Sequence, residues 1–182
     1  MRQHFIYVAG LGDNYDGVRQ LMLRTWAWRP GVTTEIVSMH WLSGESYERK
    51  VRRVVEAVKN APKDAEVVLV GESAGGAISL LACAQTKVRC VTVCGKNQRA
   101  RTIGQDYSSK NVALKPAVTA VDRLHANADL PVERIRNLYS RLDYTVHVDD
   151  SKIPGCENIV FSVPSHLVSI AWINLFHFHS IR

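Results

Sequence analysis

This 182-residue sequence has little cysteine, no clustered basic stripe and no long apolar run. Its four cysteines, Cys83, Cys90, Cys94 and Cys156, include no CxxC pair and no paired ligand spacing, which argues against a disulfide framework or a cysteine-based zinc module. Cys83 and Cys90 fall in apolar stretches, where a free thiol behaves as a small hydrophobe. The cysteines therefore read as reduced and buried, as in a cytoplasmic protein. The apolar runs are far shorter than the roughly 20 residues of a membrane-spanning helix. The run Phe5 to Ala9 is also too short for a signal-peptide core. No internal repeat or low-complexity segment is present. Hydrophobic residues at 46% and charged residues at 22% exclude a disordered chain, a coiled coil and a collagen-like fibre. The length fits one domain, residues 1–182. Lys plus Arg (23) exceeds Asp plus Glu (17), a formal net charge of +6. Without clustering, that excess reads as a solubility feature, and neither a nucleic-acid partner nor membrane insertion is expected.

What is present is alternation. Short runs at Phe5–Val8, Thr34–Ser38, Val67–Val70, Cys90–Val93, Ile135–Tyr139 and Ile159–Val163 are nearly continuously apolar or β-branched, the pattern of strands buried on both faces. Between them lie segments of helical period. Val51, Val54, Val55 and Val58 recur after Tyr47, and Asp16 is placed to cap a helix through Leu21, Leu23 and Trp26 that ends at Pro30-Gly31. Ala74 to Ala84 is almost wholly apolar, and Leu167 to Phe176 offers Ile170, Ile173 and Leu175. This predicts a three-layer α/β/α sandwich around a mostly parallel sheet of about six strands. Ligands then bind at the carboxyl ends of the strands. Gly95 to Lys115 breaks the alternation and reads either as a long surface loop or as a flap or short cap over that edge.

The third strand runs straight into Gly71-Glu72-Ser73-Ala74-Gly75 and then the apolar helix. This is G-x-S-x-G in its strand–turn–helix context. The turn is so tight that the residues two before and two after the serine must be small. It lifts the Ser73 hydroxyl clear of the backbone, with the positive end of the helix beside it. On these residues the sequence resembles the α/β-hydrolase superfamily, whose remaining parts follow in the order nucleophile, acid, base. Asp143, just past the fifth strand in Leu142-Asp143-Tyr144-Thr145-Val146, is similar to the family's acid, with Asp149 and Asp150 as alternatives. His166, in Pro164-Ser165-His166-Leu167 at the start of the last helix, is similar to its base; Ser165 stands where the family often has glycine.

The resemblance implies a Ser73–His166–Asp143 triad in which His166 takes the serine proton and Asp143 fixes its tautomer. It also implies an oxyanion hole made by the backbone N–H groups of Ala74 and Leu11. Leu11 belongs to the loop Val8-Ala9-Gly10-Leu11-Gly12-Asp13-Asn14, which is similar to an H-G-x-G loop with Ala9 in place of the histidine. Gly10-Leu11-Gly12 lacks the third glycine of a dinucleotide fingerprint, and no cofactor is expected. Gly10, Gly12, Trp41, Lys96 and Arg99 are candidate substrate-lining residues, although Trp41 reads first as a core residue. Trp26 and Trp28 are expected over sheet surface, and His177 and His179 alternate without the partners of a metal site. The amino-terminal hairpin of the family and a large cap are both missing, leaving an open site for a small acyl substrate. The expected activity is hydrolysis of a carboxylic ester, thioester or amide through an acyl-enzyme; the alternative is a non-catalytic binding protein on the same scaffold.

Overall fold

The computed structural model describes all 182 residues, the side chain of Asp13 excepted. Six strands, β1 (Arg2–Val8), β2 (Val32–Val37), β3 (Ala65–Glu72), β4 (Arg89–Val93), β5 (Ile135–Ser140) and β6 (Glu157–Phe161), form one sheet in the order β2-β1-β3-β4-β5-β6. Every neighbouring pair is parallel, so the sheet is wholly rather than mostly so. The helices are α1 (Asp16–Ala27), α2 (Tyr47–Asn60), α3 (Gly75–Thr86), α4 (Gln105–Lys110), α5 (Leu114–Ala126), α6 (Val148–Ser151), α7 (His166–Phe176) and α8 (Phe178–Ile181).

Alternation along β1 decides the layers. Successive side chains point to opposite faces, so Ile6 and Val8 join a core with Val54 of α2, Ile78 of α3 and Val118 of α5. Phe5 and Tyr7 join the opposite core with Leu23 and Trp26 of α1, Ile173 of α7 and Phe178 of α8. The three-layer α/β/α sandwich follows directly. In the second core Trp26 meets Phe5, Tyr7 and Phe178 edge-on or tilted, with ring centroids 5.1–6.0 Å apart. Such pairs add about 0.5–1.5 kcal/mol each beyond their burial.

Several local expectations need correction. Trp28 lies just beyond α1 and points to solvent, 80% exposed, instead of covering the sheet. Asp16 does not cap α1 but is its first residue, where its carboxylate accepts from Arg19 and from the Ser38 hydroxyl. β6 ends at Phe161 because the N–H and carbonyl of Val163 turn to the Ser140 hydroxyl instead. The sequence reading placed no helix at α5. Its Pro116 sits in the first turn, where a missing N–H leaves no intrahelical bond unmade.

The close approach of α3 to β1 rests on Gly75. A Cβ there would meet the Val8 carbonyl oxygen at 2.3 Å and that of Ala9 at 2.8 Å. Gly75→Ala is therefore expected to lower stability by about 1–3 kcal/mol through overpacking, read as an earlier urea midpoint with an unchanged slope.

Candidate active site

Parallel strands all present their carboxyl ends at one edge, and the loops there carry the residues singled out by the sequence. Ser73 follows β3 in a left-handed conformation (φ 51°). Two glycines permit it. A Cβ on Gly71 would meet the Ser79 hydroxyl at 2.5 Å, and one on Gly10 would meet Ser73 Cβ and Glu72 at 2.9 Å. Gly10 therefore lets the β1 loop lie against the elbow and supports the serine from behind.

Asp143, His166 and Ser73 form one hydrogen-bonded chain. Asp143 Oδ1 accepts from the backbone N–H groups of Thr145 (2.8 Å) and Val146 (3.0 Å), which aims Oδ2 at His166 Nδ1, 2.6 Å away. Burial opposes ionisation of Asp143. The hydrogen bond from His166 and those from Val146 and Thr145 outweigh it and hold the carboxyl below the usual carboxylate range. A carboxylate only accepts, so Nδ1 carries the proton and Nε2 of the neutral ring is an acceptor. Nε2 lies 2.8 Å from Ser73 Oγ. Asp143 and His166 are buried, and Ser73 is half-buried and reachable. Asp149 pairs with Arg99 at 2.9 Å and Asp150 with Lys96 at 2.6 Å, and neither contacts His166.

The ends of β5 and β6 are tied together by Ser140. Its hydroxyl donates to the Val163 carbonyl at 2.6 Å and accepts from the N–H groups of Leu142 and Val163 at 3.2 Å. That clamp fixes the acid loop against the loop leading to His166. Ser169, one turn into α7, donates to the same Val163 carbonyl at 2.8 Å.

A buried ion pair fixes the other side. Glu72 accepts a two-pronged contact from Arg19, at 2.9 Å from Nε and 2.7 Å from a terminal nitrogen, together with the Tyr7 hydroxyl at 2.7 Å. The remaining guanidinium protons reach the carbonyls of Gly12 (2.8 Å), Leu11 (3.1 Å) and, at the long limit, Gly10 (3.5 Å). In a trans peptide the carbonyl and the next N–H point in opposite directions. With the Gly10 carbonyl turned to Arg19, the Leu11 N–H faces away from it. Among the described residues neither Leu11 N–H nor Ala74 N–H donates a hydrogen bond within the protein.

Two clefts meet at Ser73. One, of about 370 Å³, has Leu11, Ala74, Lys96, Ile103, Tyr107 and Val146 in its wall. The other, of about 400 Å³, has Gly12, Tyr107, Thr145, Ser165, His166 and Leu167. Lys96, Ile103, Gly104 and Tyr107 of the segment 95–115 thus wall the first cleft. That segment is anchored: the Lys96 N–H donates to the Ser73 carbonyl, and the N–H groups of Arg99 and Ala100 donate to Asp122.

Two candidate lining residues are corrected. Trp41 is 1% exposed and belongs to the core beneath α2, with its Nε1–H donating to the Ala9 carbonyl at 3.1 Å. Arg99 lines neither cleft and pairs with Asp149. Lys96 does line the first cleft, but it is 2.6 Å from Asp150 and also donates to Thr102. Burial pulls the Lys96 ammonium below its usual range against that pairing. Among the described residues no His, Cys, Asp and Glu group is arranged to hold a metal ion, and the His177 ring packs on Phe161 and Trp172.

Arg19, Tyr7, Ser140 and Tyr107 escaped the sequence reading. Arg19 had a visible signal. It shares a helical face with Leu23 and Trp26, and a charge on an apolar face needs a buried partner.

Breaking the Arg19–Glu72 pair on one side leaves a buried charge without a partner. Arg19→Met is expected to cost about 3–5 kcal/mol, and Arg19→Met with Glu72→Gln to recover much of it, as measured by urea unfolding. Asp143 gives a pH test. Its folded value lies below the unfolded one, near 3.9. Its contribution to stability is therefore present above about pH 4 and lost as pH falls through the lower folded value. The stability gap between wild type and Asp143→Asn is expected to be constant above pH 5 and to close below pH 4.

No protein-family model and no curated protein sequence matches this chain. Solved structures do. Alpha/beta hydrolase domain-containing protein 10 from mouse superposes with a TM-score of 0.67 at 13% identity, over 98% of this chain and 89% of that one. An alpha/beta hydrolase enzyme from the metagenome of Mar Chica lagoon sediments gives 0.63 at 17% identity, over 98% and 90%. A metagenomic carboxyl esterase gives 0.66 at 17%, over 98% and 73%. With its six-stranded parallel sheet and the serine turn after β3, this chain has the α/β-hydrolase fold.

Proposed function

We propose that this protein is a serine hydrolase that cleaves a carboxylic ester, or a thioester, through an acyl-enzyme. The observation that carries the reading is the continuous chain from Asp143 through His166 to Ser73, with distances of 2.6 and 2.8 Å and only one tautomer compatible with it. A serine hydroxyl is a weak nucleophile at neutral pH, and a hydrogen-bonded neutral imidazole makes it a strong one.

In the first half-reaction Ser73 Oγ forms a bond to the acyl carbon while its proton passes to His166 Nε2. The acyl oxygen gains negative charge and is met by the free N–H groups of Leu11 and Ala74. The positive end of α3 adds to that field. As the bond from the acyl carbon to the leaving oxygen or sulfur breaks, His166 returns the proton to it. Water then repeats the sequence on the acyl-enzyme and frees the acid and Ser73. Asp143 stays ionised throughout and stabilises the imidazolium.

The solved structures point the same way, since one of those compared is a carboxyl esterase and others are α/β hydrolases. Four free cysteines, three of them buried, support a reducing, cytoplasmic setting. No helix among the described residues is long and apolar enough to cross a membrane.

Labelling with a fluorophosphonate, followed by mass spectrometry, tests the proposal. Wild type is expected to carry one adduct on Ser73, Ser73→Ala none, and His166→Ala an adduct only after much longer exposure. Turnover of a short-chain ester is expected to fall by about four orders of magnitude in each variant. A folded wild type that neither labels nor turns over esters would instead make the protein a ligand-binding member of the fold.

A further inference from the structure

Beside the His166 cleft lies a groove of about 250 Å³ that the reaction above does not use. Tyr15, Val18 and Met22 wall it from the α1 side, and Leu167, Ile170 and Ala171 from α7. Glu72, Leu167 and Ile170 also stand in the wall of the His166 cleft, so the two spaces adjoin. Arg19 and Glu72 reach the groove, but they neutralise each other at 2.7 Å. From Leu167 to Phe176 the chain carries no charged residue, although Leu167, Val168, Trp172 and Phe176 are exposed. The groove is therefore an apolar extension of the site.

The proton route says which part of a substrate it meets. His166 must come within hydrogen-bond reach of the leaving atom to return the proton. His166 stands in the wall of the cleft that opens toward this groove and not in that of the cleft under Ala74, Ile103 and Leu114. Resting on the reading of Ser73 as nucleophile, we propose that the groove between α1 and α7 is the leaving-group subsite. It takes an apolar alcohol or thiol portion, while the acyl portion lies in the cleft under Ala74.

The test separates the two halves of the substrate. One series holds the acyl group as acetate and lengthens the alcohol from methanol to hexanol; the other holds methanol and lengthens the acyl group to hexanoate. Ala171→Trp fills the groove and Val18→Asp places a charge in its wall. Both positions are exposed and lie outside the machinery described above.

In wild type, kcat/KM is expected to rise roughly fourfold per alcohol methylene until the groove is full. Both variants are expected to lose that rise, at least about tenfold at hexyl acetate, while keeping methyl acetate turnover and the acyl series within about twofold. A flat alcohol series in an active wild type overturns the subsite and leaves the hydrolase reading standing. So do variants that change only the acyl series, or that leave both series intact and alter only sedimentation, the sign that a second copy covers this face. A wild type without turnover or fluorophosphonate adduct fails earlier, at the serine-hydrolase reading, and the subsite falls with it.

Discussion

Arg19 and Glu72 are the constraint on which the turn at Ser73 and the loop after β1 depend. Both are almost fully buried, where separated charges are costly. That cost is offset only because every strong donor of Arg19 finds an oxygen: two on Glu72, one on Asp16 and the rest on the carbonyls of Gly10, Leu11 and Gly12. Burial alone lowers the proton affinity of the guanidinium, and the Glu72 contact more than reverses this. Glu72 is the residue before Ser73. One ion pair therefore joins the nucleophile turn, the loop after β1 and the first turns of α1. Tyr7, Asn174 and Trp26 extend it to α7: the Asn174 amide donates to the Tyr7 hydroxyl at 3.1 Å, and the Trp26 indole donates to the Asn174 carbonyl at 2.7 Å.

Asp143 and His166 are held mainly by a second set of contacts. Ser140 fastens the ends of β5 and β6, and the Thr145 and Val146 N–H groups orient Asp143. Beneath them Asn137 and Asn97 both donate to the Ser151 carbonyl, and Asn158 bridges to Ile153. The two sets meet at α7, through Asn174, and at the 2.8 Å contact between Ser73 and His166. Because α7 starts at His166 and carries Asn174, the same helix ties both sets together and helps hold that distance.

The parts legible in the sequence were those with a local cause. Six apolar or β-branched runs marked the six strands because strands buried on both faces need apolar residues on both faces. Gly71 and Gly75 announced the turn because no side chain fits there. Asp143 and His166 stood out through the resemblance, which implies an acid and a base at those places after strands. What was hidden depends on partners distant in the chain. Arg19 and Glu72 are far apart in sequence, as are Ser140 and Val163, and nothing local in either member names the other. Trp41 stays open between core and pocket wall in the sequence, because an aromatic after a strand end suits both. The Ala9 carbonyl and the packing of α2 decided for the core. Helix α5 did show its period, since Leu114, Ala117, Val118 and Val121 share one face, but Pro116 and the polar stretch before it masked its start.

Charge around the nucleophile follows the same logic. The chain carries a formal +6, yet the cations at the site each have an anionic partner: Arg19 with Glu72 and Asp16, Lys96 with Asp150, Arg99 with Asp149. A cation free to recognise an anionic acyl group would need an unpaired ammonium facing the cleft. Lys96, the one cation in that wall among the described residues, is instead held by Asp150 and Thr102. In the proposed reaction the positive charge nearest the acyl carbon is then the partial charge of backbone N–H groups. That field acts on an oxyanion formed within about 3 Å and weakly on anything farther away. The charged side chains at this edge of the sheet hold loops in place, and under the proposed function the selection of substrate falls to the shapes and apolar walls of the clefts and the groove.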